Sequence, residues 1–304
     1  DGVSVTVKGN STINGDIEVS RSANNTKDVK LALESGTING KLKIDSSIKN
    51  STATTVTKGS DVTVAAPVGY AWSAEGTLVE AVAQIGENGY VTLAAAIAAA
   101  EDGDTVKLLK DVTDEDVTIS KSITLDLGGK TLTNTSSGKA TISVADGVTA
   151  TVKNGSVVGG TSFYNIQVGT AVNSTANLTL EDVTATAGNT GSSMIDNFGT
   201  LTIKSGTYTG GMNVVKSEEG STLTINGGTF RSGTPKWTLN INDSAYQAGT
   251  ANIIVNGGTL LLPTDKVLPF RSMVMFALIS LVTKFLRSLS RITVSPSFAA
   301  AIAS

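Results

Sequence analysis

Cysteine and histidine are both missing from the 304 residues. Without cysteine no disulfide ties the chain and no thiol acts as nucleophile or metal ligand. Without histidine the Ser-His-Asp and Cys-His arrangements, His-ligated zinc and imidazole proton transfer are all excluded. Proline occurs five times and aromatic residues make up 5% of the chain. Few prolines leave long stretches able to donate to strand ladders. Few aromatics argue for a narrow interior filled by aliphatic side chains rather than a broad enzyme core. Chemistry, if present, has to come from carboxylates, lysine, arginine, tyrosine or hydroxyls.

Glycine, by contrast, is plentiful at 32 residues, and it recurs in a fixed phrase. The phrase is Thr151-Val152-Lys153-Asn154-Gly155-Ser156-Val157, then Thr179-Leu180-Glu181-Asp182-Val183-Thr184-Ala185, then Thr202-Ile203-Lys204-Ser205-Gly206-Thr207-Tyr208. It returns at Thr224-Ile225-Asn226-Gly227-Gly228-Thr229-Phe230 and Ile254-Val255-Asn256-Gly257-Gly258-Thr259-Leu260. Its second residues are 28, 23, 22 and 30 apart. A unit of that length cannot bury its own apolar face and has to stack on its neighbours. An earlier pair, Thr12-Ile13-Asn14-Gly15 and Thr37-Ile38-Asn39-Gly40, repeats after 25 residues. The pattern predicts an all-β chain, a right-handed parallel β-helix (solenoid), with strand residues on the pleat and Gly or Asn at its turns. The Asn of the turns (Asn154, Asn226, Asn256) is expected mainly to tolerate left-handed backbone, with a stacked amide ladder as the other reading.

Composition shifts divide the chain into an N-terminal β-solenoid segment at 1–66, a Pro/Gly-containing junction at 67–88, a β-helix domain at 89–262 and a tail at 263–304. Leu93 to Ala100 is alanine-rich, with Thr92 as N-cap and Asp102-Gly103 as stop, which predicts a short capping helix near 92–101. In the tail Phe270, Val274, Leu278, Leu281 and Phe285 fall at helical spacing opposite Lys284, Arg287 and Arg291. That spacing predicts an amphipathic helix near 270–292. Its uncharged stretch between Arg271 and Lys284 is 12 residues, too short to span a bilayer. The expected role of this helix is to cap the stack or join copies of the chain, with membrane contact only through this tail. All 26 acids lie at or before Asp265, whereas five of the 23 bases follow it, so the body carries −8 and the tail +5. So acidic a body argues against a nucleic-acid partner.

The stretch from Tyr90-Val91-Thr92-Leu93 through Gly103-Asp104-Thr105-Val106-Lys107-Leu108-Leu109 to Ile123-Thr124-Leu125-Asp126-Leu127-Gly128-Gly129-Lys130-Thr131-Leu132 resembles the opening of pectate-lyase-like right-handed β-helix modules. Such modules occur in large surface proteins and adhesins of gut Firmicutes. The step Asn226-Gly227-Gly228-Thr229-Phe230 is similar to their coils, and 66–86 resembles the joint between consecutive modules. The resemblance covers roughly 60–260. It implies an extracellular structural or adhesive protein that makes weak, multivalent contacts with glycans or a host-surface protein. The wider fold also serves phage fibres, tailspikes and capsid-decoration proteins, and polysaccharide lyases and glycoside hydrolases.

A hydrolase on such a frame needs two facing carboxyls. The densest acidic group contains Asp111, Asp114 and Asp116, candidates for a weakly bound calcium ion, although the spacing is not that of an EF-hand loop. The expected reading is a solvated first-coil turn, with no catalytic residue. Glu181-Asp182 and Glu218-Glu219 read as solubilising turn pairs without a basic partner. Trp237, Tyr164 and Phe163 are the candidate sugar-contact residues, whereas Tyr208 and Phe230 are expected to fill the core. A trimer or filament of copies is the expected assembly if the chain is a fibre.

Overall fold

The computed structural model describes residues 2–20, 27–48, 54–235, 237–261 and 293–294. The predicted tail helix, with Phe270, Val274, Leu278, Leu281, Lys284, Phe285, Arg287 and Arg291, lies outside the described residues. The chain divides into two compact units, Asp1–Ala98 and Ala99–Ser304.

In the first unit Val3–Val7, Val29–Leu33 and Thr54–Lys58 stack as parallel rungs, with Val5 over Leu31 over Val56. Thr12-Ile13 pairs with Thr37-Ile38, so the repeat seen in sequence is one coil in space. Asn39 Nδ2 donates to Asn14 Oδ1 at 2.7 Å across that coil. Val19, Leu31, Leu33, Leu42, Ile48 and Val56 form its core, and Trp72 packs against them. The junction is more regular than expected. Tyr70–Trp72 pairs antiparallel with Leu78–Glu80, and Ala83–Ile85 with Asn88–Tyr90. The Pro67 and Gly69 break stops the parallel stack, and short local turns then satisfy the backbone as hairpins. Gly86, at φ 56°, supplies the left-handed step in the second of them. The alanine-rich segment forms the helix Leu93–Ala99, burying Leu93, Ala96 and Ile97, and Thr92 Oγ1 accepts from Ala95 N–H at 3.0 Å as its cap.

The second unit is a parallel β-solenoid. On its long sheet Leu125 lies over Val152, Leu180, Ile203, Ile225 and Val255, at steps of 27, 28, 23, 22 and 30 residues. The repeat of the phrase is therefore the register of the ladder. These side chains point inward, and Leu125, Val152, Leu180, Ile203 and Ile225 are fully buried. The outward row beside them is threonine: Thr105, Thr124, Thr151, Thr179, Thr202 and Thr224 are in register. β-Branched neighbours at the rung spacing of roughly 4.8 Å shield one another's backbone. The next outward row alternates in charge, Lys107, Asp126, Lys153 and Glu181, and Lys204 closes on Glu181 at 3.1 Å. A second inward row runs Leu132, Val157, Ala185, Tyr208, Phe230 and Leu260. Tyr208 and Phe230 are fully buried as expected, and Tyr208 Oη donates to Ser205 carbonyl at 2.9 Å.

The Gly-Thr step has a backbone cause. Gly206, Gly228 and Gly258 sit at φ 117°, 105° and 104°, where an L side chain is strained. A Cβ on Gly206 would stand 2.2 Å from Val183 carbonyl oxygen in the rung below. Gly206→Ala is expected to cost roughly 1–3 kcal/mol, measured by chemical denaturation; a loss under about 0.5 kcal/mol would contradict this account. The turn asparagines divide between the two readings. Asn154 is left-handed at φ 58°, but Asn226 and Asn256 are not; Asn256 Nδ2 donates to Asn226 Oδ1 at 2.9 Å. At those two coils the glycine carries the unusual backbone, which leaves the amides free to stack.

A third face is a six-stranded parallel sheet: Val117–Ile119, Ile142–Val144, Ile166–Val168, Ile195–Asn197, Val215–Ser217 and Leu239–Ile241. Its middle positions point outward and carry the groups with chemical interest.

Candidate functional site

On the six-stranded sheet the outward row is Thr118, Ser143, Gln167, Asp196, Lys216 and Asn240 in register. Asp196 faces away from the aliphatic core, yet it is only 1% exposed, and Glu218, one residue past the strand Val215–Ser217, is 3% exposed. Lys216 Nζ contacts Glu218 Oε1 and lies 3.9 Å from Asp196 Oδ1. Asn242 Nδ2, one coil on, donates to Glu218 Oε2. Asn242 precedes the helix Asp243–Ala248 as its N-cap, but its side chain serves the carboxylate rather than the helix. Tyr164, from the coil before, is close enough to Asp196 for the two groups to shift one another's proton affinity. Tyr164, Asp196, Lys216, Glu218 and Asn242 are thus one network across four successive coils.

The electrostatics follow from burial. Desolvation pushes the Asp196 carboxyl up to about 7; the Lys216 ammonium opposes the rise, and Glu218 adds to it by its charge and a hydrogen bond. For Lys216 burial acts downward, but the hydrogen bond to Glu218 and the charges of Asp196 and Glu218 outweigh it and hold the ammonium above its ordinary value. Burial, then the charge of Asp196, raises the Tyr164 hydroxyl. One carboxylate oxygen, Asp196 Oδ1, is buried without a hydrogen-bond partner, as is Asn213 Oδ1 two residues before the next strand. In so dry a setting the Asp196 carboxyl can hold a proton near neutral pH beside the Lys216–Glu218 pair.

Glu218 therefore corrects the sequence reading. It is a buried, lysine-paired group and not a solubilising turn residue, because Lys216, two residues before it, closes on it and the next coil brings Asn242 against it. Glu181-Asp182 does lie at the surface, with Glu181 paired to Lys204 and Asp182 bonded to Ser205 at 2.7 Å. Asp111 accepts from Thr131 N–H at 2.8 Å, Asp114 accepts from Thr135 Oγ1, and Asp116 pairs with Lys139 at 3.2 Å. Each of the three is taken up by a different residue of the next coil, and among the described residues no three acidic groups gather at metal-ligating range. Phe163 and Tyr164 lie in the loop before Ile166–Val168 rather than in a strand. Their rings touch at 4.6 Å between centroids, and both are half-buried. Trp237 is 40% exposed in the corresponding loop before Leu239–Ile241.

Sequence reasoning missed Asp196, Lys216 and Asn242. Aligning the coils on the strands of the third face, instead of on the Gly-Thr phrase, would have put Asp196 over Lys216.

No family model matches the chain, and neither does any curated protein or solved structure.

Proposed function

We propose that the chain is a non-enzymatic structural and adhesive β-helix of an extracellular surface, which presents its loops for weak, multivalent contacts with glycans or a host-surface protein. The observation that carries this reading is the constant ladder register through coils whose lengths run from 19 to 30 residues. Loops of different size are thereby projected from one rigid frame, and several weak contacts held in fixed geometry reinforce one another. The best-placed acid pair lies 1% and 3% exposed, which suits a packed network better than a cleft open to a sugar bond. Among the described residues no helix is long and apolar enough to cross a membrane.

Two measurements test this reading. The chain coupled to beads should retain cells or immobilised glycans more strongly than single chains in solution do. Incubated with a panel of polysaccharides, it should release neither reducing ends nor unsaturated uronides. Turnover that disappears in Asp196→Asn or Glu218→Gln would replace the adhesive reading with a polysaccharide-degrading one.

A further inference from the structure

We infer that Lys216 and Asp196 are the two ends of an intramolecular isopeptide bond that joins neighbouring coils, with Glu218 as the proton acceptor that frees the lysine. This goes beyond the adhesive reading and does not depend on it.

The placement comes from the ladder. Asp196 and Lys216 are register partners at the middle of the parallel strands Ile195–Asn197 and Val215–Ser217. Both side chains therefore leave the same face, one rung spacing of roughly 4.8 Å apart. Lys216 Nζ lies 3.9 Å from Asp196 Oδ1, a buried oxygen that accepts no hydrogen bond. Glu218 Oε1 contacts the same nitrogen, and Asn242 holds the other Glu218 oxygen. An amine, a carboxyl carbon and a second carboxylate meet where water is scarce, because Asp196 and Glu218 are both buried. The ion pairs Lys43–Asp16, Lys139–Asp116 and Lys204–Glu181 lack this setting, since their lysines are exposed.

The step balances within three side chains. Glu218 takes one proton from the Lys216 ammonium and leaves a neutral amine. The nitrogen lone pair attacks Cγ of the protonated Asp196 carboxyl, and a C–N bond forms. A second nitrogen proton passes, by way of Glu218, to the departing hydroxyl; the C–O bond breaks and one water leaves. The products are a neutral amide and a protonated Glu218, which returns its proton to solvent. Geometry held by the ladder replaces an encounter in solution, an advantage equivalent to an effective concentration of about 10⁵ M or more.

The surrounding charges support the step. Burial, with Glu218 adding to it, raises the Asp196 carboxyl to about 7 and so keeps it in the form an amine can attack. The hydrogen bond that raises the Lys216 ammonium is also the path by which its proton leaves. Tyr164, its hydroxyl raised by burial, is the other titratable group beside Asp196. Only chains with a neutral Asp196 react. The free carboxyl and its titration therefore persist in protein prepared and kept at pH 8.5, and protein left standing at about pH 6 converts to the joined form.

The test is the intact mass of the full chain, taken under denaturing conditions after standing at about pH 6. The wild type should weigh one water less than its sequence. Trypsin, which cuts after Lys204 but not after an acylated Lys216, should release 154–204 joined to 205–231. Lys216→Arg and Asp196→Ala should keep the full sequence mass, and Lys204→Ala should lose the water as the wild type does. Glu218→Gln should slow the loss by at least about a hundredfold. A wild type at its full sequence mass would overturn the bond. So would a lost water that survives Lys216→Arg, a branched peptide joined at other residues, or an unchanged rate in Glu218→Gln.

Discussion

Phe230→Ala is expected to lower the unfolding free energy of the unit Ala99–Ser304 by roughly 3–5 kcal/mol. Phe230 is fully buried and stacks on Tyr208 of the coil before it, with ring centroids 5.0 Å apart and planes 9° from parallel. On its other side the row continues to Leu260. Below Tyr208 the row holds Ala185, so the two rings fill the widest part of an otherwise aliphatic column. Removal of one ring opens a cavity that the neighbours cannot collapse into, because each coil is fixed to the next by backbone ladders. Coils of a solenoid stabilise one another chiefly through nearest-neighbour contacts. The loss should therefore concentrate in the coils around 208–260, and amide exchange there should accelerate before it does around 124–158. A cost below about 1 kcal/mol, or uniform acceleration, would show that the stacked pair does not hold this part of the column.

The second large effect is a pH dependence carried by Asp196. Its carboxyl is raised from the ordinary 3.8 to about 7 by burial, with Glu218 adding to the rise. The folded state thus holds the proton more tightly than the unfolded chain. Stability from this group is complete below pH 3.8, declines as pH rises and is lost above about 7. The full amplitude corresponds to something on the order of 4 kcal/mol. Asp196→Asn stands in for the protonated carboxyl, being uncharged at every pH and of nearly the same size. Unfolding midpoints measured at pH 3.5 and pH 8.5 should nearly coincide between wild type and variant at the lower pH, with the variant the more stable at the higher. The difference between the two proteins isolates this group from exposed acids such as Asp16 and Glu75, whose lowered carboxyls act in the opposite direction. A variant less stable than wild type at pH 8.5 would mean that Asp196 is ionised and held by Lys216 throughout.

The ladder was legible because its spacing is written in residues that every coil needs. Val152, Leu180, Ile203, Ile225 and Val255 had to be apolar, and Gly206, Gly228 and Gly258 had to be glycine. Thr92 as a helix cap was legible for the same local reason. The Asp196–Lys216–Glu218 network was not, because it is assembled from two coils whose 20-residue step on this face differs from the 23- and 22-residue steps of the repeated phrase. Neither Asp196-Asn197 nor Glu218-Glu219 differs locally from an acidic surface turn. Only the stacking of strands around Ile166, Ile195, Val215 and Leu239 brings the lysine over Asp196. Trp237 was legible as a surface residue from Pro235 and its surroundings.

Consecutive turns absorb eight residues of length difference, between the 22-residue and the 30-residue steps, without moving a single rung out of line. Sequence change at the corners is thereby uncoupled from sequence change on the faces. A foreign peptide spliced into the bend between Val158 and Ile166, or between Thr186 and Ile195, should leave the ladders on either side intact. Such a chain accumulates new surface chemistry one corner at a time, while the aliphatic rows that keep it folded stay as they were.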